Sequence, residues 1–140
     1  MPHRTDLTGS VWRFAFYGRL TVDDLVEAEK SVYDVEASAT RVPHRLIEID
    51  ELTAIELSFL ELYSFICQRR TRRFANRFKS AIVATDFIHD CFARMYQQTL
   101  KHPQITVRIF GNAQSAMDWL TAPGKTAARA EDRSQTEKVS

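Results

Sequence analysis

Cysteine is nearly absent from this sequence: Cys67 and Cys91 are the only two in 140 residues. Both sit inside apolar periodic stretches and have no paired framework around them. They therefore read as buried free thiols in a reducing compartment. Glycine and proline are scarce too, four of each, which excludes collagen-like and Pro/Gly-rich low-complexity chains and leaves regular elements to dominate. No apolar run approaches the roughly 18 residues that cross a bilayer. The opening MPHRTDLTGS has no apolar core of the kind a leader peptide carries. A cytoplasmic protein without a membrane span is the expectation.

Apolar residues make up 44% and charged residues 26% of the chain, an ordinary globular balance. At this length one core forms without a metal or disulfide staple. The expected organisation is one domain over 9–122 and a disordered tail over 123–140, whose low apolar content does not offset ordering entropy. The net charge of +1 conceals a segregation. Residues 1–61 carry 6 Lys/Arg against 12 Asp/Glu, and residues 62–122 carry 9 against 3. One domain with faces of different sign accommodates this.

Val11–Tyr17 alternates aromatic and other side chains and predicts a strand ended by Gly18. Thr21 and Asp24 have N-cap spacing, with Leu20 and Leu25 placed as a hydrophobic staple. Val22, Leu25, Val26, Val32 and Tyr33 then form one helical stripe that fades near Ala37–Thr40. Arg45–Asp50 predicts a second strand and Glu51–Leu57 a short connection. Ser58 and Glu61 have the spacing of a capping box. The helix that follows is apolar at seven of nine positions from Phe59 to Cys67, more than a one-sided helix needs. Ser80–Thr85 is a nearly continuous apolar run, as in a central parallel strand. Asp86 caps a helix whose apolar positions run from Phe87 and Ile88 through Cys91, Phe92, Met95 and Tyr96 to Leu100. Gln104–Phe110 predicts the last strand, and Asn112 caps a final short helix. The alternation implies an α/β layer: a single mixed, mostly parallel sheet of four to five strands with about four helices. The last three predicted strands should be mutually parallel.

Several dispersed segments resemble a known family: Gly18-Arg19-Leu20-Thr21-Val22-Asp23-Asp24, Leu46-Ile47-Glu48-Ile49-Asp50, Ala81-Ile82-Val83-Ala84, Phe92-Ala93-Arg94-Met95-Tyr96-Gln97 and Arg108-Ile109-Phe110. Together they look like the bacterial STAS-like proteins, relatives of the anti-sigma-factor antagonists that are also grouped with the CRAL-TRIO lipid-binding fold. The resemblance spans about residues 11–121. It implies a STAS-like fold, in which the strand at 11–17 pairs antiparallel to a neighbour, and a regulatory or protein-interaction module with a signalling-type protein partner. In the antagonists a serine in an Asp-Ser-Ser/Thr-Gly-Leu pattern opens the second helix and is phosphorylated. Here the matching stretch is Glu56-Leu57-Ser58-Phe59-Leu60. The phosphoserine position falls on Leu57, the glycine on Phe59, and only Ser58 supplies a hydroxyl. This departure argues against a phospho-switch.

Candidate sites follow from these patterns. Ser58 is a regulatory candidate at a helix start, where phosphate is electrostatically favoured, or a plain cap. Phe59, Leu62, Tyr63 and Ile66 form a homodimer face, an apolar groove for a small molecule or lipid, or a helix buried on two sides. Asp86, His89, Asp90 and Cys91 cluster in sequence, but each has a structural role as cap, first-turn polar residue or stripe position. No catalytic, metal or cofactor site is therefore assigned, and an enzyme is not expected. The basic run Arg69, Arg70, Arg72, Arg73, Arg77 and Lys79, interleaved with Phe74 and Phe78, has the composition of an anion-binding surface. Such runs are commonly solvated, so nucleic acid is not expected as a partner.

Overall fold

The computed structural model describes residues 3–8 and 10–122. The expected tail, 123–140, lies outside the described residues, and so does the residue at which the predicted domain begins. The elements are β1 (His3–Thr8), β2 (Val11–Thr21), α1 (Val22–Ser38), β3 (His44–Glu56), α2 (Phe59–Arg70), β4 (Phe78–Val83), α3 (Phe87–Leu100), β5 (Ile105–Phe110) and α4 (Ala113–Leu120). They form one five-stranded sheet in the order β1-β2-β3-β4-β5. β1 is antiparallel to β2, and the β2/β3, β3/β4 and β4/β5 ladders are all parallel. The expected α/β mixed sheet is thus observed, with β4 between two parallel neighbours. Its Ser80, Ala81, Ile82 and Val83 are all buried, as a strand covered on both faces requires.

The period-two alternation of the strands divides the core between the faces. One cluster packs Leu25, Leu62, Ile66, Ala93 and Leu100 of α1–α3 against Ile49, Phe78, Ile82, Ile105 and Val107 of the sheet. The other packs Ala116, Trp119 and Leu120 of α4 against Val11, Leu46, Ala81, Val83 and Phe110. Helices α1–α3 therefore cover one face and α4 the other.

Two predicted boundaries are corrected. Gly18 does not end the first strand, which continues to Thr21. The glycine has φ +73 and sits at an irregularity of the β2/β3 ladder, where its freedom at positive φ lets the strand kink and go on. Residues 51–56 are likewise not a connection but the second half of β3, paired with β2 as far as Thr21↔Glu56. β1 was not predicted. Its HRTDLT sequence has no apolar face, and it is held as an edge strand by the β2 ladder and by Arg4–Glu51 at 2.7 Å.

Candidate functional site

The expected helix starts are present in detail. Ser58 Oγ accepts from Glu61 N–H at 3.1 Å and Glu61 Oε1 accepts from Ser58 N–H at 2.8 Å, a complete capping box. Thr21 and Asp24 make the same pair for α1. Asp86 caps α3 through Ile88 N–H at 3.0 Å. On this geometry Ser58→Ala is expected to cost about 1 kcal/mol and Ser58→Gly only a few tenths, because glycine lets water reach the freed N–H groups. Urea unfolding of both variants checks the order.

The four residues singled out on α2 are split by the fold. Leu62 and Ile66 face the sheet and are core, whereas Phe59 and Tyr63 are on the surface, stacked on each other with ring centroids 6.1 Å apart. The helix therefore has one buried face and one exposed apolar face. Phe59 is 65% exposed, Leu60 71%, Phe87 75% and Ile88 60%. Helices α2 and α3 pack against each other. Arg70 donates to the carbonyls of Leu100, at 2.9 Å, and of Thr99, which aligns the C-terminal ends of the two helices. Phe59 and Leu60 open α2, and Phe87 and Ile88 open α3. A groove between α1 and α2, lined by Val22, Val26, Leu60 and Phe65, continues the patch sideways. Exposed carboxylates stand in the first two turns of α1 (Asp23, Glu27), in the first turn of α2 (Glu61) and at the cap of α3 (Asp86).

Corrections on α3 follow from its tilt over the sheet. Its buried positions are His89, Ala93 and Leu100, so Phe87, Ile88 and Cys91 of the predicted stripe lie outside. Cys91 is exposed and Cys67 only half-buried, which overturns the expectation of two buried thiols. His89 is not a surface residue. Its Nε2–H donates to the Leu52 carbonyl at 3.0 Å, and Nδ1 lies 3.4 Å from Asp50 Oδ1. Asp50 also accepts from Thr85 N–H at 2.8 Å. Burial acts to raise the Asp50 carboxyl, but hydrogen bonds from Thr85, His89 and the Asp86 backbone outweigh it and hold the group below its ordinary value. Asp90 pairs with Arg94 at 2.8 Å. Asp86, His89 and Asp90 thus point to different partners, and Cys91 is exposed.

The basic run is the expected solvated segment only in part: Arg73 and Arg77 are exposed, but others of the run have specific partners. Arg69 is buried and donates twice to Glu36, at 2.6 and 2.7 Å, and once to Glu29 at 3.4 Å. Arg72 holds Glu29 at 2.9 Å, and Arg45 donates to Glu36 Oε2, which Arg69 also bonds. Lys79 Nζ reaches the Trp119 carbonyl at 2.9 Å. Burial opposes ionisation of Glu36, yet the bonds from Arg69 and the charge of Arg45 prevail and hold its carboxyl below the ordinary value. Burial also pushes Arg45 down to about 10. Burial acts to lower Arg69 as well, but it is raised because Glu36 accepts two hydrogen bonds from it. Glu29 and Glu36 occupy two buried positions of α1, while Val26 of its predicted stripe is exposed.

No known protein-family model matches this chain, and no curated protein does. Its structure is similar to that of an uncharacterized protein of the DUF3478 family with a SpoIIAA-like fold from Shewanella loihica. The TM-score is 0.59 and the identity 19%, over 84% of this chain and 93% of that one. The likeness shows a SpoIIAA-like, and so STAS-like, fold. No described helix is long and apolar enough to cross a membrane.

Proposed function

We propose that this chain is a non-enzymatic, cytoplasmic bacterial regulatory module of the STAS type that docks a protein partner on the exposed apolar ends of α2 and α3. The single observation that supports this is the exposure of Phe59, Leu60 and Tyr63 on the first turns of α2 and of Phe87 and Ile88 on the first turn of α3. Single exposed apolar residues are ordinary, whereas a group of large ones on neighbouring helix turns marks an interaction surface. Aromatic anchors suit such a surface because they bring large area at low entropic cost. The partner's chemistry follows from the rim. Carboxylates at Asp23, Glu27, Glu61 and Asp86 favour an amphipathic segment whose apolar face is flanked by Lys or Arg. They disfavour a second copy of the same face, which would set acid against acid, and they disfavour an anionic membrane. Ser58 acts in this proposal as a cap, not as a phospho-switch.

The test is a titration of the full chain with a synthetic Leu/Lys amphipathic helix and its Leu/Glu counterpart. The Leu/Lys helix is expected to bind at least about tenfold more tightly, and Leu60→Asp with Phe87→Asp to abolish the difference. Stability should change by less than about 0.5 kcal/mol in the double variant, since both side chains are on the surface. Sedimentation equilibrium supplies the counter-result: a wild-type dimer that Leu60→Asp dissociates would make this face a homodimer interface instead.

A further inference from the structure

The docking face leaves one edge of the sheet unexplained. β1 is the first strand in the sheet order and, among the described residues, pairs on one side only, with β2. Its outer backbone N–H and C=O groups form a row that another strand can complete. Arg4, Thr5, Asp6 and Leu7 are all exposed. Natural sheets guard such an edge with proline, lysine or a β-bulge. The strand HRTDLT contains neither residue, and its ladder with β2 runs from His3↔Phe16 to Thr8↔Val11 without a register shift. The edge is therefore regular enough to template a neighbour along its length.

The two charges on β1 select that neighbour. Arg4 and Asp6 are two residues apart, so they share one face of the sheet, opposite to Thr5 and Leu7. When two copies of one strand pair about a two-fold axis, the pairing is antiparallel and the axis passes between one residue and its own copy. Only the choice of that residue is open. With Thr5 at the axis, Arg4 lies opposite the partner's Asp6, and Asp6 opposite the partner's Arg4. A shift of the axis by one residue brings like charges together: Arg4 faces the partner's Arg4, or Asp6 faces the partner's Asp6. Opposite charges directly across a ladder stabilise it, and like charges destabilise it. The strand is thus self-complementary in one register and self-repelling in the two beside it. Contacts inside the chain are compatible with this pairing. Arg4 holds Glu51 at 2.7 Å, and Asp6 stands across the ladder from Arg13. The pairing extends an alternation of charge that already runs across the strands: Glu51, Arg4 and the partner's Asp6 in one row, Arg13, Asp6 and the partner's Arg4 in another.

We infer that β1 is a homodimerisation edge: two copies of this chain pair their β1 strands antiparallel about Thr5 and join their sheets into one. An edge of this length buries little area, so the dimer is weak and reversible. It uses none of the exposed residues of α2 and α3, so the edge and the docking face can each fail without the other.

Sedimentation equilibrium of the full chain reads the association. The wild type is expected to dimerise in the micromolar range. Arg4→Asp makes both facing pairs acidic and Asp6→Arg makes both basic, so each variant alone should dimerise at least about tenfold more weakly. Mixed in equal amounts, the two variants regain opposite charges at both pairs, and a mixed dimer should form within about threefold of the wild-type affinity. A variant that merely failed to fold would not recover in this way. Hydrogen exchange on the wild type needs no variant: the outward-facing amides of residues 3–7 should slow as the protein concentration rises through the dimerisation range. Leu60→Asp should leave the equilibrium unchanged. A wild type that stays monomeric up to about 1 mM overturns the proposal, and so does exchange in residues 3–7 that ignores concentration. A folded pair of variants whose mixture associates no better than either alone overturns the Thr5 register. A dimer that Leu60→Asp dissociates belongs to the docking face and overturns the edge.

Discussion

Glu36→Ala is expected to destabilise the fold by about 3–5 kcal/mol, the cost of removing one partner from a buried ion pair. Glu36 is the hub of the internal charge cluster, bonded twice by Arg69 and once by Arg45. Without it Arg45 keeps a buried charge with no carboxylate partner, and Arg69 keeps only the 3.4 Å contact with Glu29. Urea unfolding at neutral pH measures the loss. A triple variant, Glu36→Leu with Arg45→Met and Arg69→Met, separates two explanations. It removes all three charges and leaves Glu29 with Arg72. Stability should return to the wild-type level or above, since apolar replacements of similar volume leave no unpaired charge. A triple variant as unstable as the single one would show that side-chain shape, not charge balance, holds the cluster together. The cluster also sets a pH dependence. The Glu36 carboxyl is held below its ordinary value of 4.5 in the folded chain. Its contribution is therefore fully present above about 4.5 and is lost as the pH falls from there through the folded value. Wild-type protein should lose stability over that acid range, and Glu36→Ala should lose less.

Ile66→Ala carries the second large effect, about 2–5 kcal/mol. Ile66 has no exposed surface and sits in the cluster between α2 and the sheet, so truncation leaves a cavity that close-packed neighbours fill only in part. Tyr63→Ala, three residues away on the same helix, should change stability by less than about 0.5 kcal/mol, because the ring lies on the surface against Phe59. The contrast is measurable on one denaturation plot. If both substitutions prove equally costly, Tyr63 is covered in solution, which would point to self-association through the patch.

Local chemistry was legible wherever it did not depend on a distant partner. The Thr21/Asp24 and Ser58/Glu61 capping boxes are read from spacing alone, because both partners lie within one turn. The nearly continuous apolar run within Ser80–Thr85 identifies β4 as a central strand because burial on both faces favours apolar side chains at successive positions. The two faces of α2 were less accessible. Seven apolar residues in nine state that the helix has more apolar surface than one contact needs, but not which residues meet the sheet. That choice comes from how α2 is rotated over β3 and β4.

The sequence by itself determined the fold class, the number and order of the helices and the caps that start them. Each follows from hydrophobic period and from interactions across three or four residues. Only the tertiary structure decided the fate of the charges. Glu29, Glu36, Arg45, Arg69 and Arg72 are up to 43 positions apart, and each taken alone reads as a solvated helix or strand residue. They form one buried cluster because α1, β3 and α2 meet over the same face of the sheet, where low dielectric leaves no choice but to pair them. The polar β1 edge and the exposed Cys91 have the same origin: each depends on which surfaces the packed helices cover.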